Sequence, residues 1–190
     1  MVFAEKGFHA ARIQDIAVRA RIGVGTVYNH FEQKEDVLLA LLEEHTGALE
    51  ERFASAPSDG NDFESRLRAR LRRVCAYQDE HRAFFALSME HGLIGPTTAA
   101  AATVLKGRKP RNIERFRKAF IDFMDEGVRT KALQPGEPAR FARVLGGILK
   151  AYSIESLIDG SSRLADHADT VVDLFLFGAV SVPKRKVRKP

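Results

Sequence analysis

The sequence contains a single cysteine, Cys75, so no disulfide can form within one chain, as is usual in a reducing compartment. Cys75 lies in a helical row of apolar residues, where we expect a buried and unreactive thiol. No apolar run approaches the length of about 18 residues that a membrane-spanning helix needs. The first residues also lack the basic and then apolar pattern of a signal peptide. These absences predict a cytoplasmic protein with no membrane segment.

Motifs of common enzyme classes are missing as well. The sequence has no Gly-x-Ser-x-Gly elbow, no His-Glu-x-x-His pair and no P-loop, and none of its six histidines follows a glutamate by three residues. The segment 23–25, Gly-Val-Gly, lacks the third glycine and the preceding strand of a dinucleotide site. We therefore predict that the protein is not an enzyme and has no catalytic residues, metal site or cofactor.

The net charge of +5 comes from the C-terminal tail. Five basic residues lie there: Lys184, Arg185, Lys186, Arg188 and Lys189. The rest of the chain is close to neutral, so the total charge gives only weak support for a nucleic-acid partner. We expect residues 183–190 to be a disordered tail; non-specific attraction to phosphate is the alternative.

Apolar residues recur at intervals of three and four, and sustained alternation is absent, which predicts an all-α fold. Two short helices, from about Arg12 to Ala20 and from Val24 to about His30, are joined by a tight turn and cannot bury a core alone. A long helix from near Lys34 supplies a neighbour for them and continues past residue 46. We therefore predict an N-terminal domain over residues 1–46 and a second helical domain over residues 47–182.

The second short helix has the composition of a DNA-recognition helix. Val27 and Phe31, four residues apart, supply an apolar side for packing, and Thr26, Asn29 and His30 supply short polar groups that can enter a major groove. Such a pair of helices also occurs in many proteins that do not bind DNA.

Three further residues suit contacts with the DNA backbone. Gly25 lets the backbone at the head of the helix come close to a phosphate. Tyr28 offers a phenol to the sugar-phosphate backbone, and Lys34 offers a positive charge to a phosphate across the groove.

The strings AEKGF at 4–8, IA at 16–17 and GTVYNHFEQKE at 25–35 closely resemble the helix-turn-helix signature of the TetR family. The resemblance implies binding to double-stranded operator DNA, usually as a repressor, and a C-terminal helical domain that dimerises and binds a small effector. The side chains that it implies face DNA are Gln14, Thr26, Tyr28, Asn29, His30 and Lys34. Those that it implies hold the module together are Ile16, Ala17, Val27 and Phe31.

The sequence departs from the family pattern in three places. Gly23 and Val24 stand where a serine and a lysine are common, and Ala11 stands where a hydroxyl residue caps the second helix, a cap we expect to be weaker by about 1 kcal/mol. Family members also carry further residues before the match to 3–7, so we expect a shortened first helix. Residues 1–45 carry five basic and seven acidic groups. We expect DNA binding to be weaker than in a form of the protein extended upstream. The alternative is a ligand-binding or protein-interaction helical dimer whose N-terminal DNA-binding domain is impaired.

The last two helices resemble the dimer bundle of the family. A homodimer interface is predicted at Gly146, Gly147, Leu149, Phe175 and Phe177, with packing inside one chain as the alternative. A pocket for an apolar effector of unknown identity is predicted at Phe84, Phe85, Met89, Phe116, Phe120 and Phe123, with an ordinary core as the alternative.

Overall fold

The computed structural model describes residues 2–55, 62–93, 108, 110–160 and 162–179, with side chains up to residue 176. All regular structure in these ranges is helical, which confirms the predicted fold class. The helices are α1 (Val2–Lys6), α2 (Ile13–Ala20), α3 (Val24–Tyr28), α4 (Lys34–Ala54), α5 (Phe63–Glu80), α6 (Arg82–Glu90), α7 (Arg111–Arg129), α8 (Pro138–Asp159) and α9 (Ala168–Ala179). The predicted tail at 183–190 lies outside the described residues.

The first three helices are too short to enclose a core and depend on their neighbours. α2 and α3 meet through Ile13, Ala17 and Val27, which form a small buried cluster of their own. Phe3 of α1 and Phe8 after it lie in the main core instead, with ring centroids 5.4 Å apart. The N-terminal segment is thus anchored to the larger helices by its aromatic side chains.

The N-terminus of α2 corrects one expectation from the sequence. The N-cap residue is Arg12 rather than Ala11, and the Arg12 backbone N–H donates to Asp15 Oδ2 at 3.0 Å. Lys6 Nζ donates to Asp15 Oδ1 at 2.6 Å, and this hydrogen bond, followed by that from Arg12, lowers the pKa of Asp15. Ala11 is 1% exposed. The Asp15 carboxylate therefore satisfies the backbone N–H of Arg12, and Arg12 itself makes no side-chain cap hydrogen bond to α2.

The strained residue in the turn between α2 and α3 is Arg21. Arg21 has a φ of 57°, in the left-handed region, and the next residue, Ile22, donates its N–H to the Ala17 carbonyl at 3.0 Å. Gly23 has a φ of −66° and is the N-cap of α3. The glycine therefore serves as a helix start, while an arginine adopts the backbone conformation that glycine prefers.

α4 links the N-terminal helices to the rest of the protein. Its buried residues follow the predicted apolar stripe and are Leu38, Leu42, His45, Thr46, Leu49 and Phe53. The main core runs along this stripe from Leu38 to Phe53, so the domain boundary near residue 46 stays a prediction. After α4, the Asp62 carboxylate caps α5 by accepting from the Ser65 backbone N–H at 2.9 Å.

The remaining helices pack on α4 and on one another. The Glu43 carboxylate of α4 accepts from the backbone N–H groups of Arg111 and Asn112 at 2.6 and 2.8 Å, which satisfies the first turn of α7. α8 starts at Pro138 and ends before Gly160, which has a φ of 72°. Residues 164–167 form a 3-10 turn directly before α9.

Cys75 lies on α5 and is fully buried. Burial raises the pKa of its thiol to about 12, so that almost no thiolate is present near neutral pH. The predicted burial of Cys75 is confirmed, and its lack of reactivity stays a prediction.

Candidate functional site

The predicted DNA-contacting side chains of α3 and the following turn lie on the protein surface. Thr26, Tyr28, Asn29 and His30 are exposed, whereas Val27 is 3% exposed. α3 ends at Tyr28, two residues before the predicted end. A row of polar groups therefore lies opposite the apolar contact with α2, which is the arrangement that a recognition helix needs. The contacts of these side chains with DNA stay a prediction.

Gly25 and Gln14 are also exposed, on α3 and α2 respectively. A Cβ added at Gly25 would have no heavy atom within 4 Å. Packing within the protein therefore does not require a glycine at this position. The space beside Gly25 is open to a partner that approaches the start of α3 from outside.

Lys34 differs from the other predicted contacts because its ammonium group already has partners. Lys34 Nζ donates to the carbonyl oxygens of Phe8, His9 and Ala11 at 2.8, 2.7 and 3.2 Å. It also lies 4.8 Å from the centroid of the Phe8 ring. An ammonium group has three N–H donors, so all of them are used. The phosphate contact predicted for Lys34 would have to replace one of these hydrogen bonds.

Two basic residues near the motif were not singled out from the sequence. Arg12 precedes α2 and Arg21 lies in the turn before α3, and both are exposed. By contrast, Lys6 is paired with Asp15, and Arg19 with Glu5 at 3.1 Å. Their positions just before α2 and in the turn before α3 were the sequence signal that could have identified Arg12 and Arg21 as candidate phosphate contacts.

The side chains predicted to line an effector pocket separate into two aromatic groups. Phe84 and Phe85 pack together at 5.3 Å, and Phe84 stacks on His45 at 3.9 Å. The other group surrounds Phe53 at 4.7 to 6.1 Å and consists of Phe116, Phe120 and Phe123. Met89 is half-buried near the end of α6. These side chains contribute to the packed interior, and the pocket itself stays a prediction.

Of two cavities among the described residues, one is very small and the other is open. One, of about 10 Å³, lies among Gln78, Asp79, Arg82, Phe85, Ser153, Ser156, Leu157 and Leu164. The other, of about 310 Å³, is an open groove on the surface of α7 beside Glu114, Arg115, Arg117, Lys118 and Ile121. Ligand pockets usually enclose about 300–1,000 Å³. The first cavity has room for about one water molecule, and the second does not enclose a ligand.

His45 forms a buried polar contact that the apolar pattern of α4 did not reveal. Its Nδ1 lies 2.7 Å from the Tyr77 hydroxyl, and its ring is 4.8 Å from that of His81. Burial, followed by the charge of His81, lowers the pKa of His45. The imidazole is therefore held neutral near pH 7 inside the α4, α5 and α6 contact.

The residues predicted to form the dimer interface have different exposures. Gly147 is exposed with open space beside it, Gly146 is half-buried, and Leu149 packs against the core. Phe175 is only 1% exposed within its own chain, so it has almost no surface left for a partner and is a core residue. The Phe177 side chain lies outside the described residues.

Other apolar side chains of α8 and α9 do face solvent. They are Val144, Ile154 and Ile158, which are 48%, 40% and 81% exposed, and Leu174, which is 52% exposed. At 3.6 residues per turn, the three on α8 fall within an arc of about 80° around the helix axis, so they share one side of the helix. We call these four residues the exposed apolar stripe.

Within the described ranges, no helix is long and apolar enough to cross a membrane. The same ranges contain no group of three or more His, Cys, Asp or Glu side chains placed to hold a metal ion. The candidate sites are therefore the surface of α3, the aromatic interior and the exposed apolar stripe.

Known proteins resemble the chain at both the family and the fold level. The sequence model of the family described as "Bacterial regulatory proteins, tetR family" matches residues 1–41. The fatty acid metabolism regulator protein of Bacillus subtilis strain 168 is 26% identical over 188 residues, which cover 93% of this chain and 89% of that protein.

Solved structures with a similar fold include two regulators. The transcriptional regulator FadR from Bacillus subtilis, in complex with stearoyl-CoA, has a TM-score of 0.77 at 20% identity over 93% of each chain. The fatty acid degradation regulator FadR from Bacillus halodurans has a TM-score of 0.76 at 24% identity, over 93% of this chain and 90% of that one. This likeness extends the resemblance in fold beyond the N-terminal helices.

Proposed function

We propose that this chain, which belongs to the TetR family of bacterial regulatory proteins, is a transcriptional repressor that a fatty acyl-CoA releases from operator DNA. The observation that carries the proposal is the exposed polar row of α3 beside open space at Gly25, in the segment that matches the family. The relatives are regulators. We propose a regulatory and not an enzymatic role here, in the cytoplasm, where chromosomal DNA lies.

In this proposal α3 enters the major groove of operator DNA. Thr26, Asn29 and His30 contact base edges, because their short polar groups are exposed on α3 and the turn that follows it. Tyr28 contacts the sugar-phosphate backbone, and the backbone beside Gly25 approaches a phosphate. Gln14 supplies a further contact from α2.

A dimer is needed so that two copies of α3 can bind two half-sites. We propose that the exposed apolar stripe is buried between the two subunits, because exposed apolar side chains on α8 and α9 favour association. The variant Ile158→Glu should then be a monomer in analytical ultracentrifugation. Val18→Glu is the matched control, since Val18 is 77% exposed but lies on α2, and it should stay dimeric. A dimeric Ile158→Glu would contradict this interface.

The effector is proposed to be a long-chain fatty acyl-CoA. Support comes from the names of the similar proteins, one a fatty acid metabolism regulator and one solved with stearoyl-CoA, and from the aromatic interior. The buried cavity beside Phe85 and Leu164 is about 10 Å³ and is too small for an acyl chain. Binding in the aromatic interior would therefore have to separate packed side chains.

Stearoyl-CoA is the probe for this part of the proposal, with CoA and stearate as controls for its two halves. Stearoyl-CoA should raise the melting temperature and release bound DNA, whereas CoA alone should do neither. If stearate acts as well as stearoyl-CoA, the effector is a fatty acid rather than its thioester. If none of the three acts, the effector proposal is wrong while the DNA-binding proposal stands.

DNA binding is tested by selecting duplexes from a random-sequence pool with the full-length dimer. We expect enrichment of a two-fold symmetric sequence. A dimer that selects no sequence, yet binds stearoyl-CoA, would instead support a ligand-binding protein without a working DNA-binding head.

A further inference from the structure

The Lys34 side chain joins two segments of the N-terminal region. Lys34 is the first residue of α4, and its Nζ donates to the carbonyl oxygens of Phe8, His9 and Ala11, at 2.8, 2.7 and 3.2 Å. These carbonyls belong to the turn between α1 and α2. They lie 23 to 26 residues before Lys34 in the sequence, so this contact depends on the tertiary fold.

Phe8 and Ala11 of this turn are buried in the main core, but the carbonyl groups of the turn need hydrogen-bond partners of their own. The carbonyls that follow a short helix have no partners within that helix, and the one backbone hydrogen bond from Ala11 runs back to the Gly7 carbonyl at 3.2 Å. A single ammonium group satisfies three carbonyls at once, and its contact with the Phe8 ring adds a fourth attraction. We call the four residues 8–11 the clasped turn.

The clasped turn leads directly into the DNA-binding helices. Arg12, the N-cap of α2, follows it, and Ile13 and Ala17 of α2 pack on Val27 of α3. A displacement of the turn therefore shifts α2 and, through this buried cluster, the exposed polar row of α3. The turn also touches the end of α6, where His91 lies 5.7 Å from the Phe8 ring.

We propose that Lys34 is a positioning residue for DNA recognition: it acts by holding the clasped turn and not by contacting a DNA phosphate. The proposal rests on the proposed DNA-binding function. It differs from the role that the family resemblance implies, because all three donors of the ammonium group are used inside the protein. A guanidinium group is planar and donates from a rigid fork, so arginine cannot reproduce the three bonds although it keeps the charge.

The test measures the binding of Lys34→Gln and Lys34→Arg to the duplex selected by the wild-type dimer, at several salt concentrations and at a temperature where circular dichroism shows each variant fully folded. Both variants should bind about tenfold more weakly or worse, because hydrogen bonds from a charged donor are lost. The slope of log affinity against log salt should stay at the wild-type value. As a control, Lys118→Gln removes an exposed lysine of α7 and should change neither the DNA affinity nor the salt slope.

A phosphate contact would give a different pattern. Lys34→Gln would then reduce the magnitude of the salt slope by about 1.8, because the dimer loses one phosphate contact in each subunit, and Lys34→Arg would bind nearly as well as the wild type. That pattern would overturn the proposal, and so would wild-type affinity in both variants. A residue that only stabilised the fold would leave the affinity of the folded protein unchanged.

Hydrogen exchange tests the proposal on the protein without DNA. In Lys34→Gln, the backbone amides of Ala11 and Arg12 should exchange about tenfold faster or more, since the turn is no longer held, while amides of α8 keep their wild-type rates. Unchanged exchange at Ala11 and Arg12 would overturn the proposal. If the wild type selects no duplex, the proposed function fails, and hydrogen exchange still decides whether Lys34 holds the turn.

Discussion

Gly25→Ala separates the stability of the protein from its binding to DNA. Gly25 is exposed within α3, it is not one of the glycines with a positive φ, and a Cβ built there has no heavy atom within 4 Å. Alanine therefore fits the folded chain without strain. The added methyl group does occupy the space through which we propose that a phosphate approaches the start of α3.

The two effects have opposite signs. Glycine inside a helix is less favourable than alanine by about 0.5–1 kcal/mol, so Gly25→Ala should raise the free energy of unfolding by up to that amount. A hydrogen bond to a charged group contributes about 1.5–3 kcal/mol. If the methyl group prevents one such bond to a phosphate, DNA affinity should fall by about tenfold to a hundredfold.

Two measurements on the same preparation check this prediction. Urea denaturation gives the free energy of unfolding, and titration of the selected duplex at fixed salt gives the affinity. A variant that is at least as stable as the wild type but binds DNA more weakly agrees with the proposed approach at Gly25. Wild-type affinity in Gly25→Ala would refute the proposed approach of a phosphate at Gly25. A large loss of stability would show that the space beside Gly25 is not open.

Three further predictions concern stability. Arg21 has a φ of 57°, so Arg21→Gly should raise the free energy of unfolding by about 1 kcal/mol in urea denaturation, and a decrease would show that the arginine side chain compensates for its backbone conformation. A Cβ at Gly127 would lie 2.6 Å from Phe63 Cε2, so Gly127→Ala should destabilise the protein by about 1–3 kcal/mol, and an unchanged melting temperature would contradict the close packing. Burial lowers the pKa of His45 from 6.5. As the pH falls, the unfolded protein therefore binds a proton at His45 before the folded protein does. His45 therefore makes stability fall as pH decreases below about 6.5, with its full contribution present above that value. His45→Gln should flatten this part of the curve of unfolding free energy against pH, and an unchanged curve would contradict the assignment to His45.

The sequence predicted the helices well because their signals are local. The apolar spacing along α4 continues through Phe53, as the structure shows, and Pro138 and Gly160 mark the ends of α8. The predicted α3 pattern likewise rests on neighbouring residues, with Val27 buried and Thr26 exposed. Each of these signals reflects periodicity or backbone preference within a few residues.

Features that depend on distant parts of the chain could not be predicted in the same way. The partners of Lys34 lie at Phe8, His9 and Ala11, and no local pattern connects them. Phe175 has the apolar character of an interface residue, but whether it faces a partner or its own core depends on how α9 packs, and it is buried.

The most direct test of the account is a titration of the selected duplex with Tyr28→Ala at a fixed salt concentration, together with ultracentrifugation of the variant. Tyr28 is 49% exposed, so removing its ring should leave the fold and the dimer intact. We expect Tyr28→Ala to be a dimer of wild-type stability whose DNA affinity is clearly reduced. A dimeric Tyr28→Ala that binds the duplex as tightly as the wild type would contradict the claim that α3 is the DNA-recognition helix.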